Sequence, residues 1–234
     1  MKDVEMKKTY IIACRTPWFW DEWKAPVGED IWVEIREPDQ LQLKLVEELN
    51  PRFIFFPHWS NIVSESITSK YECVCFHATP VPFGRGGSPV QNMILLGKEE
   101  TTVSALRMMK ELDAGPVYAR SKVSLLGGGD EVFIRMSRQV QEMILQISRE
   151  EPKPTEQSGE VTLFKRRTPA QSRIPNDSDL SKWFDYIRML DAEGYPRAFV
   201  QIGEARLEFS RPALRRGRIE ASVTISVVKG GNAT

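Results

Sequence analysis

The residues best suited to proton chemistry in this sequence are a histidine and an aspartate that follow apolar runs. His77 is one of only two histidines and ends the run ECVCFH. Asp113 lies further along the chain, in the turn sequence ELDAG. A histidine that is hydrogen-bonded to a carboxylate can take up and return a proton near neutral pH. Taken singly, His77 could be structural and Asp113 an ordinary turn residue, so the elements that carry them matter.

The loop after His77 has the composition of a ligand-binding turn. Its sequence, PFGRGGSP, contains a single arginine, Arg85, and leads into a predicted helix with Ser88 as N-cap and Pro89 as first residue. Glycines let the backbone approach a ligand closely, and a helix N-terminus favours an anion. Turn geometry alone also requires glycine, so a purely structural loop is the alternative interpretation.

Short apolar runs alternate with helical patterns in the first part of the chain. The runs TYIIAC, IWVEI, RFIFF and ECVCFH are typical of strands buried on both faces. A helical pattern, DQLQLKLVEELN, ends before Pro51, and the clearest amphipathic helix is predicted over 130–148. This alternation predicts an α/β fold with a doubly wound, mostly parallel, Rossmann-like sheet. In such sheets ligands bind beyond the carboxyl ends of the strands, where His77 lies.

Composition divides the chain into three segments. The polar stretch REEPKPTEQSGE separates a predicted catalytic domain, residues 1–150, from a linker, 151–176, and a small C-terminal α+β module, 177–234. Within the first segment, TTVSALRMMKELDAG is compatible with a helix or with a strand that enters a loop. In the module, one helix is followed by two alternating runs, RAFVQIGEARLEFSRP and RIEASVTISVV, which predict a pair of strands. The tail KGGNAT is expected to fray.

Charge and cysteine content limit the partners and the compartment. The chain has 32 Lys and Arg against 32 Asp and Glu, so we expect no nucleic-acid partner, and the basic runs at 165–167 and 215–218 are interpreted as solvated. The three cysteines, Cys14, Cys73 and Cys75, show no metal or disulfide spacing, which favours a reducing compartment and no metal. Without an apolar leader or spanning segment, a cytoplasmic protein with no membrane partner is expected.

The stretch from Phe76 to Tyr118 resembles the signature region of the 10-formyltetrahydrofolate-dependent formyltransferase superfamily. That superfamily includes glycinamide ribonucleotide transformylase, methionyl-tRNA formyltransferase and the sugar N-formyltransferases. Its pattern is a strand ending in Asn-x-His, a Pro-rich loop with Arg-Gly, a helix, a Thr-containing strand and Leu-Asp-x-Gly. The matching positions are His77, Pro82, Arg85, Gly86, Pro89, Gly97, Thr101 and Leu112 to Gly115. The motif is most similar to that of sugar N-formyltransferases, including those of the pseudaminic acid pathway.

This resemblance implies an N-formyltransferase that uses 10-formyltetrahydrofolate and no metal. His77 would stabilise the oxyanion of a tetrahedral intermediate and move protons, while Asp113 would tune His77. The family's Asn, two residues before the His, is Cys75 here. A thiol cannot reproduce the hydrogen bonds of a carboxamide. Asn61 could supply that amide instead, or it could be a simple turn residue.

The resemblance also implies binding residues for both substrates. The cofactor pocket would be formed by Trp59, Ser60, Asn61, Ile62, Met109, Leu112 and Asp113. The acceptor would be bound by Arg15, Thr16, Arg85 and Gly86. Trp59 could equally belong to the core, and the tryptophans that follow Thr16 could simply pack.

The acceptor amine is predicted from the length of the chain, its net charge and the sequence of the motif. A short chain with no net charge favours a nucleotide-linked amino sugar, specifically a UDP-4-amino-4,6-dideoxy sugar for surface glycans or nonulosonic acids. Methionyl-tRNA formylation is the alternative within catalysis, and a non-catalytic folate- or nucleotide-binding relative is the alternative outside it. The strands predicted after Ala198 could pair between chains in a homodimer.

Overall fold

The computed structural model describes residues 7–227, which form two compact units. The first unit contains 7–86, 102–123 and 134–163, and the second contains 87–101, 124–133 and 164–227. The predicted division at residues 150 and 176 stays a prediction, and the tail 229–234 lies outside the described residues. Within 7–227, no helix is both long and apolar enough to cross a membrane.

A six-stranded sheet in the order β2-β1-β3-β4-β6-β7 is the centre of the fold. Its strands are β1 (Thr9–Ala13), β2 (Ile31–Ile35), β3 (Phe53–Phe56), β4 (Cys73–His77), β6 (Glu100–Arg107) and β7 (Val117–Ser124). The first four run parallel, whereas β6 is antiparallel to β4. The chain passes from β1 to β2 on one side and returns to β3 on the other, so the winding direction switches between β1 and β3. The predicted doubly wound, mostly parallel α/β fold is therefore confirmed.

Continuous apolar sequence explains why these strands occupy the core. All four residues of β3, FIFF, are buried, and so are residues 10–13 of β1. The ambiguous stretch after Glu100 is strand β6 followed by an irregular loop, 108–116. A strand fits better than a helix because four consecutive residues of it, 103–106, are buried inside the sheet.

Six helices accompany the strands among residues 7–227. They are α1 (Pro17–Glu22), α2 (Leu43–Leu49), α3 (Glu65–Thr68), α4 (Pro89–Leu95), α5 (Gly129–Glu150) and α6 (Leu180–Met189). Two 3-10 segments, Pro38–Gln40 and Pro169–Ser172, are also present. The long helix α5 contacts the sheet, since the Tyr10 hydroxyl donates to the Ser148 carbonyl at 3.1 Å. It includes the amphipathic helix predicted from sequence.

The second unit contains α4, α6 and an antiparallel sheet in the order β11-β10-β9. Its strands are β9 (Ala198–Ile202), β10 (Ala205–Arg215) and β11 (Arg218–Val227). The sequence predicted two strands here, but the first run divides at Gly203, whose φ of 57° is left-handed and makes a tight turn. Trp183 of α6 packs edge-on against Phe209, with ring centroids 5.6 Å apart. Pairing of these strands between chains stays a prediction.

Two short strands complete the fold beside the site. Strand β5 (Arg85–Gly86) pairs with β8 (Leu163–Phe164), which belongs to the stretch that follows α5. Thr155 in that stretch also forms an isolated bridge with Val117 of β7. Residues 155–164 thus contact the elements around His77.

Candidate active site

Strand β4 carries Cys73, Cys75 and His77 on one face, because alternate residues of a strand point the same way. The Cys75 side chain packs against a small apolar cluster formed by Val81, Leu106 and Val117. His77 ends the strand and is only 7% exposed. The imidazole is therefore held at the carboxyl end of a central strand.

The first ring nitrogen of His77 is fixed by the loop that follows β4. Nε2 lies 2.8 Å from the Gly84 carbonyl oxygen, which also accepts from the Thr79 hydroxyl at 3.3 Å. Gly84 has a left-handed φ of 72°, which favours glycine at this position. A carbonyl oxygen only accepts, so Nε2 carries the hydrogen in this contact. Nδ1 is then the ring nitrogen that is left to exchange a proton.

Asp113 faces that second nitrogen. Its Oδ2 lies 3.4 Å from His77 Nδ1 and accepts a hydrogen bond from the Gly86 amide at 2.9 Å. Both side chains are nearly buried, with exposures of 8% for His77 and 11% for Asp113. Asp113 has a left-handed φ of 54°, a conformation that aspartate tolerates better than most residues. The structure thus brings together the two residues that the sequence offered for proton chemistry.

The loop between β4 and β5 is fixed on both of its sides. The Gly84 amide donates to the Thr162 hydroxyl at 2.7 Å, and the Arg85 amide donates to the Thr162 carbonyl at 3.0 Å. On the opposite side, the Ser104 hydroxyl donates to the Thr79 carbonyl at 2.8 Å. These contacts keep the Gly84 carbonyl in place as the partner of His77.

Gln157 is a site residue that sequence reasoning missed. Its Nε2 donates to the carbonyls of Asp113 and Gly115, both at 2.8 Å. Its Oε1 accepts from Arg85 Nε at 3.1 Å and from Nη2 at 2.8 Å, while Arg85 Nη1 pairs with Glu111 at 3.3 Å. No local pattern signals this role, because Gln157 lies in a polar stretch with the composition of a linker.

Cys75, two residues before His77, is a protonated thiol. Burial, together with the nearby Asp113 carboxylate, raises the pKa of the Cys75 thiol to about 12. A thiol that stays protonated at neutral pH is a poor nucleophile. Asn61, the other predicted amide donor, is exposed and makes no hydrogen bond among residues 7–227.

The predicted cofactor-binding residues lie on two loops. Ser60, Asn61 and Ile62 are exposed after β3, and Met109 and Leu112 are exposed on the loop 108–116. Trp59 is partly buried and packs edge-on against Phe56, with ring centroids 5.8 Å apart. Since Asp113 reaches His77 from the same loop, 108–116 folds over the face of β4 that carries Cys75 and His77.

The predicted acceptor-binding residues contact protein groups in this structure. Arg15 is half exposed and lies 3.4 Å from the Glu37 carboxylate. Thr16 precedes α1, and its amide donates to the Cys14 sulfur at 3.4 Å. The Gly86 amide donates to Asp113, and the Arg85 guanidinium contacts Gln157 and Glu111. Their contact with an acceptor stays a prediction.

The second histidine, His58, has a structural environment. Its Nε2 lies 2.8 Å from the Ser137 hydroxyl, and the Trp18 ring packs edge-on at 4.7 Å between centroids. Burial lowers the pKa of His58 to about 4. The imidazole is therefore neutral at physiological pH, as expected for a histidine that supports packing.

Cavity size does not identify the site. One cleft of about 480 Å³ is lined by residues such as Lys8 and Asp30, and another of about 860 Å³ by Arg52 and Glu72. Both lie at the amino ends of the parallel strands, whereas His77 lies at the carboxyl end. We place the site by its chemistry. Among the described residues, no group of three or more His, Cys, Asp or Glu side chains could hold a metal ion.

The doubly wound α/β fold is that of the formyltransferases. The structure matches a methionyl-tRNA formyltransferase from Clostridium thermocellum with 41% identity and a TM-score of 0.89, covering 94% of this chain and 99% of that one. The chain therefore belongs to the formyltransferase family that includes this protein. A family model described as "Methionyl-tRNA formyltransferase, C-terminal domain" matches residues 169–226.

More distant relatives share the fold. A methionyl-tRNA formyltransferase from Sulfurihydrogenibium sp. (strain YO3AOP1) is 23% identical over 201 residues, which is 79% of this chain but only 64% of that protein's length. HypX from Aquifex aeolicus, solved with tetrahydrofolic acid, is 17% identical with a TM-score of 0.68, covering 88% of this chain and 37% of HypX. A likely sugar N-formyltransferase from Mycobacterium tuberculosis is 15% identical with a TM-score of 0.65, covering 85% of this chain and 93% of that one.

These comparisons correct the predicted subfamily and partners. The predicted superfamily was right. The predicted greater similarity to sugar N-formyltransferases was wrong, because the chain is 41% identical to a methionyl-tRNA formyltransferase and 15% identical to the sugar enzyme. The same finding contradicts the predicted partners of the protein, which were a nucleotide amino sugar and no nucleic acid. The signature motif is shared across the superfamily, so it carries little information about the acceptor. The net charge of zero for the whole chain also conceals an uneven distribution, because residues 164–227 contain twelve Lys and Arg but eight Asp and Glu.

Proposed function

We propose that this protein transfers the formyl group of 10-formyltetrahydrofolate to the amino group of methionyl-tRNA. The observation that carries the proposal is the His77–Asp113 pair in a chain 41% identical to a methionyl-tRNA formyltransferase across 99% of that protein. The match of 169–226 to the C-terminal domain of such enzymes and the basic excess of 164–227 support a tRNA acceptor.

The two loops beside the His–Asp pair fit a folate. Ile62, Met109 and Leu112 expose large apolar side chains there, and an aromatic ring system can cover such groups. The neighbouring backbone amides and carbonyls of 108–116 can pair with the polar edge of a pterin. The fold relative HypX was solved with tetrahydrofolic acid, which supports a folate donor.

We infer that His77 Nδ1 carries out the proton steps, because Nε2 is held by the Gly84 carbonyl. The amine nitrogen attacks the formyl carbon, the carbonyl π electrons move to oxygen, and the amine proton passes to Nδ1. The resulting imidazolium is stabilised by the Asp113 carboxylate at 3.4 Å, and its Nδ1 hydrogen can pair with the oxyanion. When the intermediate collapses, the folate nitrogen leaves with the bond electrons and takes the proton from Nδ1.

Cys75 has no covalent step in this mechanism. Attack by the amine is direct, and the Cys75 thiol, with its pKa raised to about 12, is not a nucleophile at neutral pH. The carboxamide that the family places here is replaced by a small apolar group against Val81 and Leu106. Oxyanion stabilisation then depends more heavily on His77.

The test is a comparison of acceptors. Purified protein is incubated with 10-formyltetrahydrofolate and either methionyl initiator tRNA or a UDP-linked 4-amino sugar, and tetrahydrofolate release is followed. We expect turnover with the charged tRNA and none with the sugar or with uncharged tRNA. Turnover with the sugar alone would overturn the acceptor, and no turnover with any amine would overturn the enzymatic proposal.

A further inference from the structure

We propose that Gln157 is a positioning residue whose carboxamide fixes the two loops that present Asp113 and the partner of His77. This inference rests on the proposed formyl transfer at the same site. Gln157 lies after α5, 44 residues from Asp113 and 72 from Arg85 along the chain. It contacts both loops through one rigid planar group.

Every polar position of the Gln157 carboxamide is used. The two hydrogens of Nε2 go to two carbonyls, and Oε1 accepts from two guanidinium hydrogens. A flipped amide would place oxygen against the carbonyls of Asp113 and Gly115, and NH₂ against the guanidinium of Arg85. Both contacts would be repulsive, so the neighbours determine a single orientation. No polar atom of Gln157 is left over for a substrate.

On one side, Gln157 holds the main chain of the aspartate. Asp113 has a left-handed φ of 54°, a backbone conformation that needs support from its surroundings. The Gly86 amide binds its side chain, and Gln157 binds its carbonyl and that of Gly115. Residues 109–112 between these anchors and β6 are exposed. Without Gln157, the main-chain anchor of Asp113 is lost.

On the other side, Gln157 holds the loop that fixes His77. Arg85 is adjacent to Gly84, whose carbonyl accepts from His77 Nε2. The Arg85 side chain is 11% exposed, and Gln157 receives two of its hydrogens. The other partner of this guanidinium within residues 7–227, Glu111, is 77% exposed and contributes little in water. Gln157 is therefore the principal buried contact of this guanidinium.

The kinetic test replaces Gln157 with methionine, which keeps the length of the side chain and removes its hydrogen bonds. We expect kcat for formyl transfer to fall about 10- to 100-fold, because a displacement of about 1 Å at the reacting groups has this effect. KM for methionyl-tRNA should stay within about twofold, whereas KM for 10-formyltetrahydrofolate should rise, because the loosened loop 108–116 also belongs to the proposed folate pocket. Gln146→Met is the matched control, because Gln146 is exposed on α5 and donates to Glu150 on the same helix. Unchanged kcat in Gln157→Met would overturn the inference.

A second measurement does not depend on turnover. Amide hydrogen exchange in 108–116 should be about tenfold faster in Gln157→Met than in the wild type, while exchange in α5 is unchanged. Equal exchange in 108–116 would overturn the inference. If Gln157→Met does not fold, Gln157→Glu keeps the contact with Arg85, loses the two donors, and is expected to show the same two effects. If the wild type formylates no amine, the proposed function fails, and hydrogen exchange alone decides whether Gln157 positions the loop.

Discussion

Asp113 Oδ2 lies 3.4 Å from His77 Nδ1 and accepts a hydrogen bond from the Gly86 amide at 2.9 Å. The backbone contact holds the carboxylate whether or not the imidazole is charged. His77 can therefore take and return a proton while its counter-charge stays in place.

Substitution of this pair should remove turnover without unfolding the protein. We expect His77→Gln and Asp113→Asn each to lower kcat about 10²- to 10⁴-fold, the range of general acid–base catalysis. Asparagine is chosen to replace Asp113 because it also tolerates a left-handed φ. Formylation of methionyl-tRNA measures the effect, and thermal unfolding confirms the fold. Near wild-type kcat in either variant would show that the site is elsewhere.

Cys75 should be dispensable for chemistry. Cys75→Asn introduces the amide that the motif resemblance predicts at this position, so activity is expected to be kept or raised. An amide placed against Val81, Leu106 and Val117 should lower the free energy of unfolding by about 1–3 kcal/mol. Urea denaturation and initial rates measure the two effects. A collapse of kcat in a folded Cys75→Asn protein would mean that the thiol or its small volume is required.

His58 should make the protein less stable in mild acid. Burial lowers its folded-state pKa to about 4 from 6.5, so between these pH values the unfolded chain binds more protons. Titration of His58 leaves the free energy of unfolding unchanged above pH 6.5. As the pH falls from 6.5 towards 4, it lowers the free energy of unfolding by at most about 3 kcal/mol. In His58→Asn, where asparagine accepts the φ of 49°, urea unfolding at pH 7 and pH 4.5 should differ less. The same pH dependence in both proteins would contradict this.

Gly115 should not tolerate a side chain. A Cβ added there would lie 1.9 Å from the Arg107 carbonyl oxygen, a backbone atom that cannot rotate away. We expect Gly115→Ala to displace the loop of Asp113 and to lower both the melting temperature and kcat, with a destabilisation of about 1–3 kcal/mol. Gly28→Ala is the control, since nothing lies within 4 Å of its added Cβ. Equal melting temperatures and rates in the two variants would argue against this loop geometry.

The tip of the β10–β11 turn should contribute to tRNA affinity. Arg216 is exposed and has no ion pair among residues 7–227. Arg216→Ala is expected to weaken tRNA binding and to reduce the slope of log Kd against log salt by about 1. Arg138→Ala is the control, because Arg138 is already paired with Glu22 at 2.7 Å. Identical salt slopes for the two variants would exclude a phosphate contact at Arg216.

Sequence patterns predicted the features that depend on local composition. The alternation of apolar runs and helices gave the mostly parallel sheet, and residue types pointed to His77 and Asp113. The contact between His77 and Asp113 could not be predicted from sequence. Asp113 follows β6, which is antiparallel to β4, and the loop that carries it returns over the face of β4. The split at Gly203 was missed because a continuous alternating run conceals a tight turn.

Other features depend on groups that are far apart in sequence. Gln157 meets Asp113 and Arg85 only in the folded chain, and the composition of PTEQSGE does not distinguish it from a linker residue. The acceptor was misjudged because net charge is a sum over the chain, whereas a nucleic acid responds to the local excess of Lys and Arg. The role of Gln157 depends on contacts distributed over the chain, whereas the acceptor depends on a local charge excess that a whole-chain sum conceals.

The bridge between Thr155 and Val117 has a practical consequence for shortening the protein. A fragment ending at Glu150 would keep all six strands of the main sheet, yet it would lack Thr155, Gln157 and Thr162. Such a fragment would expose unpaired backbone on β7 and leave the loops at His77 without their supports. A cut after Phe164 retains each of these contacts. A shortened chain that is meant to keep these supports must therefore extend at least to Phe164 rather than stop at the end of α5.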